Sequence, residues 1–170
     1  MTVAVVRQLG AHSFALRFQG RDLRCALGAG GISPLKQEGD GATPSGTHSL
    51  RRLLYRADRR PPPACGSLPR EPIAPEDGWC DDPDHADYNR MVRLPHPGRH
   101  ENLWREDGLY DLLAPLAYND DPVQRGRGSA IFLHVAHPDL RPTQGCVALL
   151  DADLAWVLAN GLAAIDIPRN

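Results

Sequence analysis

Between Ser129 and Asp151 the chain holds two apolar runs of strand length, residues 130–136 and 147–150, joined by a loop that Pro138 and Pro142 stiffen. Neither run is long enough for a buried helix, so this stretch predicts two core strands flanking an ordered loop. Each run carries one reactive group: His134 stands near the end of the first, and Cys146 precedes the second, directly after Thr143, Gln144 and Gly145. A thiol at such a turn-to-strand junction is expected to be reachable. A cysteine nucleophile requires a base within hydrogen-bond reach and backbone N–H groups aimed at the developing oxyanion, here expected from Cys146, Gly145 and Gln144. Gly145 also permits close approach of a substrate to the main chain. His137, three residues beyond His134, is a second candidate base, but on a continuous strand that spacing puts the two rings on opposite faces. His137, next to Pro138, is therefore assigned to a loop or to the substrate rim.

The rest of the chain repeats the pattern of short elements. Residues 2–8, 12–18 and 22–27 read as a three-strand meander with glycine-containing turns, and 109–118 as a strand whose Pro115 marks it as an edge or a bulge. Asp151 is placed to cap a helix over 152–160 with Leu154, Val157 and Leu158 on one face, followed by a last strand over 162–167. With sixteen Pro and sixteen Gly in 170 residues, elements must be short and loops long, which predicts a single, mainly β domain over 1–170 with one or two short helices. Six prolines within 59–75 predict an extended arm that could wall a cleft.

Several functions are excluded. A net charge of −2 gives no footprint for nucleic acid. No run of about 18 apolar residues exists to span a membrane, and the first residues lack the pattern of a signal peptide, so an export signal is either trimmed or absent. Gly28, Gly30 and Gly31 form a flexible connection without the Gly-Lys-Ser/Thr of a phosphate loop. His96 and His100 have i, i+4 spacing, but Pro97 and Gly98 argue against the helix that would align them; no metal and no cofactor are expected. Cys65 and Cys80 could pair if the protein is exported. In the polar, aromatic-punctuated loops, Trp104 offers a stacking face and Arg90 a carboxylate clamp; Tyr88, His137 and Arg141 complete the candidate substrate-binding set.

His134 followed by Thr143-Gln144-Gly145-Cys146 resembles the signature of the L,D-transpeptidase (YkuD-like) catalytic domain, a strand His followed by Ser/Thr-His-Gly-Cys. A second stretch, Lys36 to Gly46 with Gly41, Thr43 and Pro44, is similar to the family's Lys-Asp-Gly-x-Thr-Pro-x-Gly. The resemblance implies a YkuD-like β-sandwich or barrel of mixed sheets in a protein that acts on peptidoglycan stem peptides and glycan strands. Cys146 would be the nucleophile, His134 the base, and Thr143, Gln144 and Gly145 the rest of the motif. It implies a monomer in the periplasm or cell envelope, with the cytoplasm as the alternative. Gln144 replaces the usual His, Ala148 stands where Asn or Arg is common, and the His-to-Cys interval is short. Together with the Pro-rich arm these departures resemble the alpha- and betaproteobacterial subgroup described as making 1,3 crosslinks. The alternatives are 3,3 transfer, L,D-carboxypeptidase action, a non-catalytic peptidoglycan-binding module, and a zinc hydrolase using His134, His137 and Cys146.

Overall fold

The computed structural model describes residues 2–169. Among them are fifteen strands: β1 (Val3–Gly10), β2 (Ser13–Phe18), β3 (Arg21–Ala26), β4 (Ile32–Ser33), β5 (Thr43–Pro44), β6 (Gly46–Ser49), β7 (Leu53–Tyr55), β8 (Arg70–Pro72), β9 (Asp77–Cys80), β10 (Arg90–Arg93), β11 (His100–Asn102), β12 (Leu112–Pro115), β13 (Phe132–Val135), β14 (Val147–Leu149) and β15 (Ala164–Ile167). One helix, α1 (Asp151–Ala159), joins β14 to β15. The fold is mainly β, as the spacing of turn residues predicts.

Ten strands form one mixed sheet in the order β6-β15-β1-β2-β3-β14-β13-β12-β7-β8. The meander β1-β2-β3 is antiparallel, while β13 runs parallel to β14 and β1 parallel to β15. A three-stranded sheet, β10-β9-β11, is separate. Side-chain alternation ties the two layers together. Leu53, Tyr55, Leu112, Ala114 and Leu133 face the main core, which α1 closes with Leu154, Val157 and Leu158. The residues between them, Leu54, Leu113 and Phe132, face a second core shared with Trp79, Leu103 and Cys146. Trp79 of β9 meets the Phe132 ring edge-on, centroids 5.0 Å apart. The three-stranded sheet is thus seated over the strand that carries His134.

Four expectations need correction. Pro115 lies in β12, an interior strand between β13 and β7; it is tolerated because it ends the strand, where its carbonyl accepts the Arg51 N–H. Asp151 is the first residue of α1 and not its cap: Leu150 holds the cap position, and the Asp151 carboxylate pairs with Arg60 at 3.0 Å. The Pro-rich arm does not wall the cleft described below. Its β8 segment adds to the sheet edge beside β7, and Cys65 and Ile73 are buried in the two cores. Cys65 and Cys80 are both free thiols, one in the main core and the other at the end of β9.

Candidate active site

The loop after β13 returns to β14 past the glycine segment 28–31, and this crossing fixes the Cys146 turn. Thr143 N–H donates to Leu27 O and Ala29 N–H to Thr143 O, both at 2.9 Å. Gly28 N–H donates to the Thr43 hydroxyl at 2.8 Å, which brings the Thr43-Pro44 stretch against the same turn. A Cβ on Gly28 would sit 2.1 Å from Gly41 O, and one on Gly145 2.8 Å from Ala42 O. With its φ of +139°, Gly145 is therefore required both for conformation and for space. The segment read as a flexible connection is the bed on which the Cys146 turn rests.

Within the turn, the Thr143 hydroxyl donates to Cys146 O at 2.7 Å and accepts the Gly145 N–H at 3.1 Å. That bond occupies the Gly145 donor and removes it from the expected oxyanion set. Among the described residues, the N–H groups of Gln144 and Cys146 donate to no protein group, which leaves them for a ligand. Cys146 is 9% exposed, so its thiol forms the floor of a cleft and not an exposed corner. Its Sγ donates to Ala130 O at 3.2 Å and accepts the Phe132 N–H at 3.4 Å. Burial pushes the thiol up to about 12, with the Glu101 charge adding to the shift.

His134 sits one strand away, on the same face of β13 as Phe132. Its Nδ1 lies 2.8 Å from Val135 O, which fixes the Nδ1–H tautomer and leaves Nε2 as an acceptor. Burial lowers the imidazole to about 4, so it is neutral at ordinary pH. The Tyr110 ring packs edge-on to it with centroids 5.3 Å apart, and the Tyr110 hydroxyl donates to Glu101 Oε2 at 2.7 Å. Burial raises the Glu101 carboxyl and also pushes Tyr110 well above its ordinary range.

A cleft of about 380 Å³ collects these groups: His134, His137, Thr143, Gln144 and Cys146 all line it, with Gly145 supplying the turn's backbone. The opposite-face argument for His137 does not apply, because β13 ends at Val135 and His137 opens the turn that follows, its carbonyl accepting the Leu140 N–H at 2.9 Å. Lys36, Glu38, Asp81, Glu101, Arg105 and Tyr110 complete the walls. The other sequence candidates lie outside. Tyr88 is buried behind the wall, its hydroxyl donating to Glu38 and accepting the Gly128 N–H. Arg90 lines a different cavity with Arg51, Arg52 and Asp120. Trp104 lies under the Arg56 guanidinium, 3.6 Å from the ring centroid, and exposed Arg141 is paired with Asp139. Glu101 and Tyr110 carried no local signal, since neither stands in a motif and they meet only when β11 and the segment before β12 converge.

The L,D-transpeptidase catalytic-domain family, YkuD, matches residues 12–164. No curated protein sequence matches the chain. Among solved structures, Mycobacterium tuberculosis L,D-transpeptidase 1 aligns with 12% identity and a TM-score of 0.36, covering 98% of this chain. This chain spans 60% of that one.

Proposed function

Because the chain belongs to the L,D-transpeptidase catalytic-domain family, we propose that it is a cysteine acyltransferase acting on peptidoglycan stem peptides. Cys146 is the nucleophile and His134 the general base. The observation that carries this reading is the convergence of Cys146 and His134 on one cleft, with the Nδ1–H of His134 committed to Val135 O. The base is thereby left with its free Nε2, in the tautomer that can take a proton.

At rest both groups are neutral, so proton transfer accompanies attack. Cys146 Sγ adds to the stem-peptide carbonyl as His134 Nε2 takes the thiol proton. The tetrahedral oxyanion accepts hydrogen bonds from the N–H groups of Cys146 and Gln144. Collapse expels the amine, which receives the proton from His134 and leaves a thioester. An acceptor amine then loses a proton to His134, attacks the thioester and restores the thiol. Charges of both signs on the walls, Lys36 and Arg105 against Asp81, Glu38 and Glu101, suit a stem peptide that carries carboxylates and an amine.

Gln144 is exposed at the lip of the cleft, where its amide can donate and accept without becoming a cation. On this basis the donor is cut at the L-residue of stem position one and joined to a diaminopimelate amine, a 1,3 crosslink. Such a substrate puts the working protein, as a monomer, in the periplasm or cell envelope. Tandem mass spectrometry of crosslinked dimers made from purified peptidoglycan tests the assignment. A donor stem reduced to its first residue supports it, one retaining three residues makes the bond 3,3, and trimmed monomers alone make the enzyme an L,D-carboxypeptidase.

A further inference from the structure

Outside the cleft, the three-stranded sheet gathers side chains that the acyl-transfer chemistry does not use. Cys80 ends β9 and is fully buried. His85 follows in the turn after it, and His96 returns beside it from the connection between β10 and β11. Ligand atoms of Cys80, His85 and His96 all lie within 4.8 Å of one another. The His85 and His96 rings pack with centroids 4.5 Å apart.

Two further features single this cluster out. Gly98 is buried against both rings: a Cβ there would sit 3.0 Å from His85 Cγ and 3.1 Å from His96 Cε1, so any larger residue would push the rings by a few tenths of an ångström. The surroundings are also acidic. Asp87 Oδ2 lies 3.0 Å from His96 Nε2 and 3.6 Å from His85 Nδ1, and the charges of Asp81, Asp82 and Asp87 all act on the Cys80 sulfur. A carboxylate against a histidine ring is the arrangement that orients metal-bound imidazoles. A thiolate with two imidazoles suits a tetrahedral zinc ion, whose bonds of about 2.0–2.3 Å call for an inward movement of roughly 1 Å by these side chains.

We propose that Cys80, His85 and His96 form a structural site for a divalent zinc-like cation, with Asp87 or water in the fourth position. Binding releases the Cys80 thiol proton to solvent and exchanges the Asp87 N–H to His85 Nδ1 hydrogen bond, or the Gly98 N–H to His96 Nδ1 one, for a coordinate bond wherever Nδ1 is the ligand. The site ties the end of β9 to both of its neighbouring connections. Asp81, next to Cys80, and Glu101, in β11, line the Cys146 cleft, so the ion would stiffen that wall without touching substrate. The sequence spacing concealed this set, because the pair it raised and then set aside was His96 with His100, and the His100 Nδ1–H donates to Gly98 O at 2.8 Å.

The test is a titration of the full chain, stripped with a chelator, with Co²⁺ followed by displacement with Zn²⁺. The expected result is one equivalent bound with a thiolate-to-cobalt charge-transfer band. That band should be absent in Cys80→Ser and unchanged in Cys146→Ser, and Asp87→Asn should weaken Zn²⁺ binding about 10–100-fold. Should Cys80→Ser fail to fold, His85→Ala and His96→Ala provide the same test by loss of affinity in a folded chain. Absence of the band from the unsubstituted chain, its loss in Cys146→Ser alone, or full affinity in folded His85→Ala overturns the proposal.

Discussion

In the resting protein, Cys146 should alkylate slowly and with no neutral-pH plateau. With the thiol at about 12 against an ordinary 9.0, the thiolate share at pH 8 falls from about one in ten to about one in ten thousand, a factor of ~1,000. A more basic thiolate is intrinsically more nucleophilic, and a Brønsted slope of about 0.4–0.5 returns a factor of roughly 15–30. The net expectation is alkylation about 30–60-fold slower than a free thiol before steric shielding is counted. The assay is the pseudo-first-order rate with iodoacetamide from pH 6 to 10, read by mass spectrometry of the peptide that contains Cys146. The rate should rise nearly tenfold per pH unit, with no inflection between 6 and 8, because His134 at about 4 has no proton to give there. A fast, flat rate between pH 6 and 8 would reveal a thiolate–imidazolium pair and refute the neutral resting state.

Three further outcomes follow from the same geometry. Gly145→Ala should lower stability to urea by at least about 1–3 kcal/mol from its backbone conformation alone. It should also cut turnover by more than about tenfold, as the new Cβ meets Ala42 O and shifts Cys146. Thr143→Ala should lose two hydrogen bonds, about 1–3 kcal/mol in all, and Thr143→Ser should restore activity by returning the hydroxyl to Cys146 O and Gly145 N. His134 has a depressed folded value, so the unfolded chain binds the extra proton first. Stability should fall by up to about 3 kcal/mol as pH drops from 6.5 to 4, and urea titrations of His134→Gln should lack that component.

Seven of the fifteen strands, β1 to β3 and β12 to β15, were legible because turn residues bracket them and alternation sorts their side chains, as at Phe132 and Leu133. Strands β4 to β11 were not, being runs of two to four residues, and the stretch that forms β9, β10 and β11 read as polar loops. The convergence of Cys146 and His134 on one cleft was legible for a similar reason, since they are two reactive groups at the ends of adjacent apolar runs. What sequence missed are the features created by closure in three dimensions. Gly28 gives no sign that Gly41 O lies against it, and Pro115 reads as an edge residue although its position at the end of β12 lets it sit inside the sheet. Burial of the Cys146 thiol depends on how deeply the turn sinks between Ala42 and Ile131, which local propensity does not encode. The arm over 59–75 was misread because composition reports an extended backbone but not the sheet edge to which β8 attaches.

Covalent catalysis through Cys146 is decided by intact-protein mass spectrometry during turnover of a stem peptide. The expected result is a thioester adduct, released by hydroxylamine and mapped to the peptide containing Cys146, that is absent in Cys146→Ala and forms far more slowly in His134→Ala. Turnover by Cys146→Ala, or an adduct mapped to Cys25, Cys65 or Cys80, would contradict it.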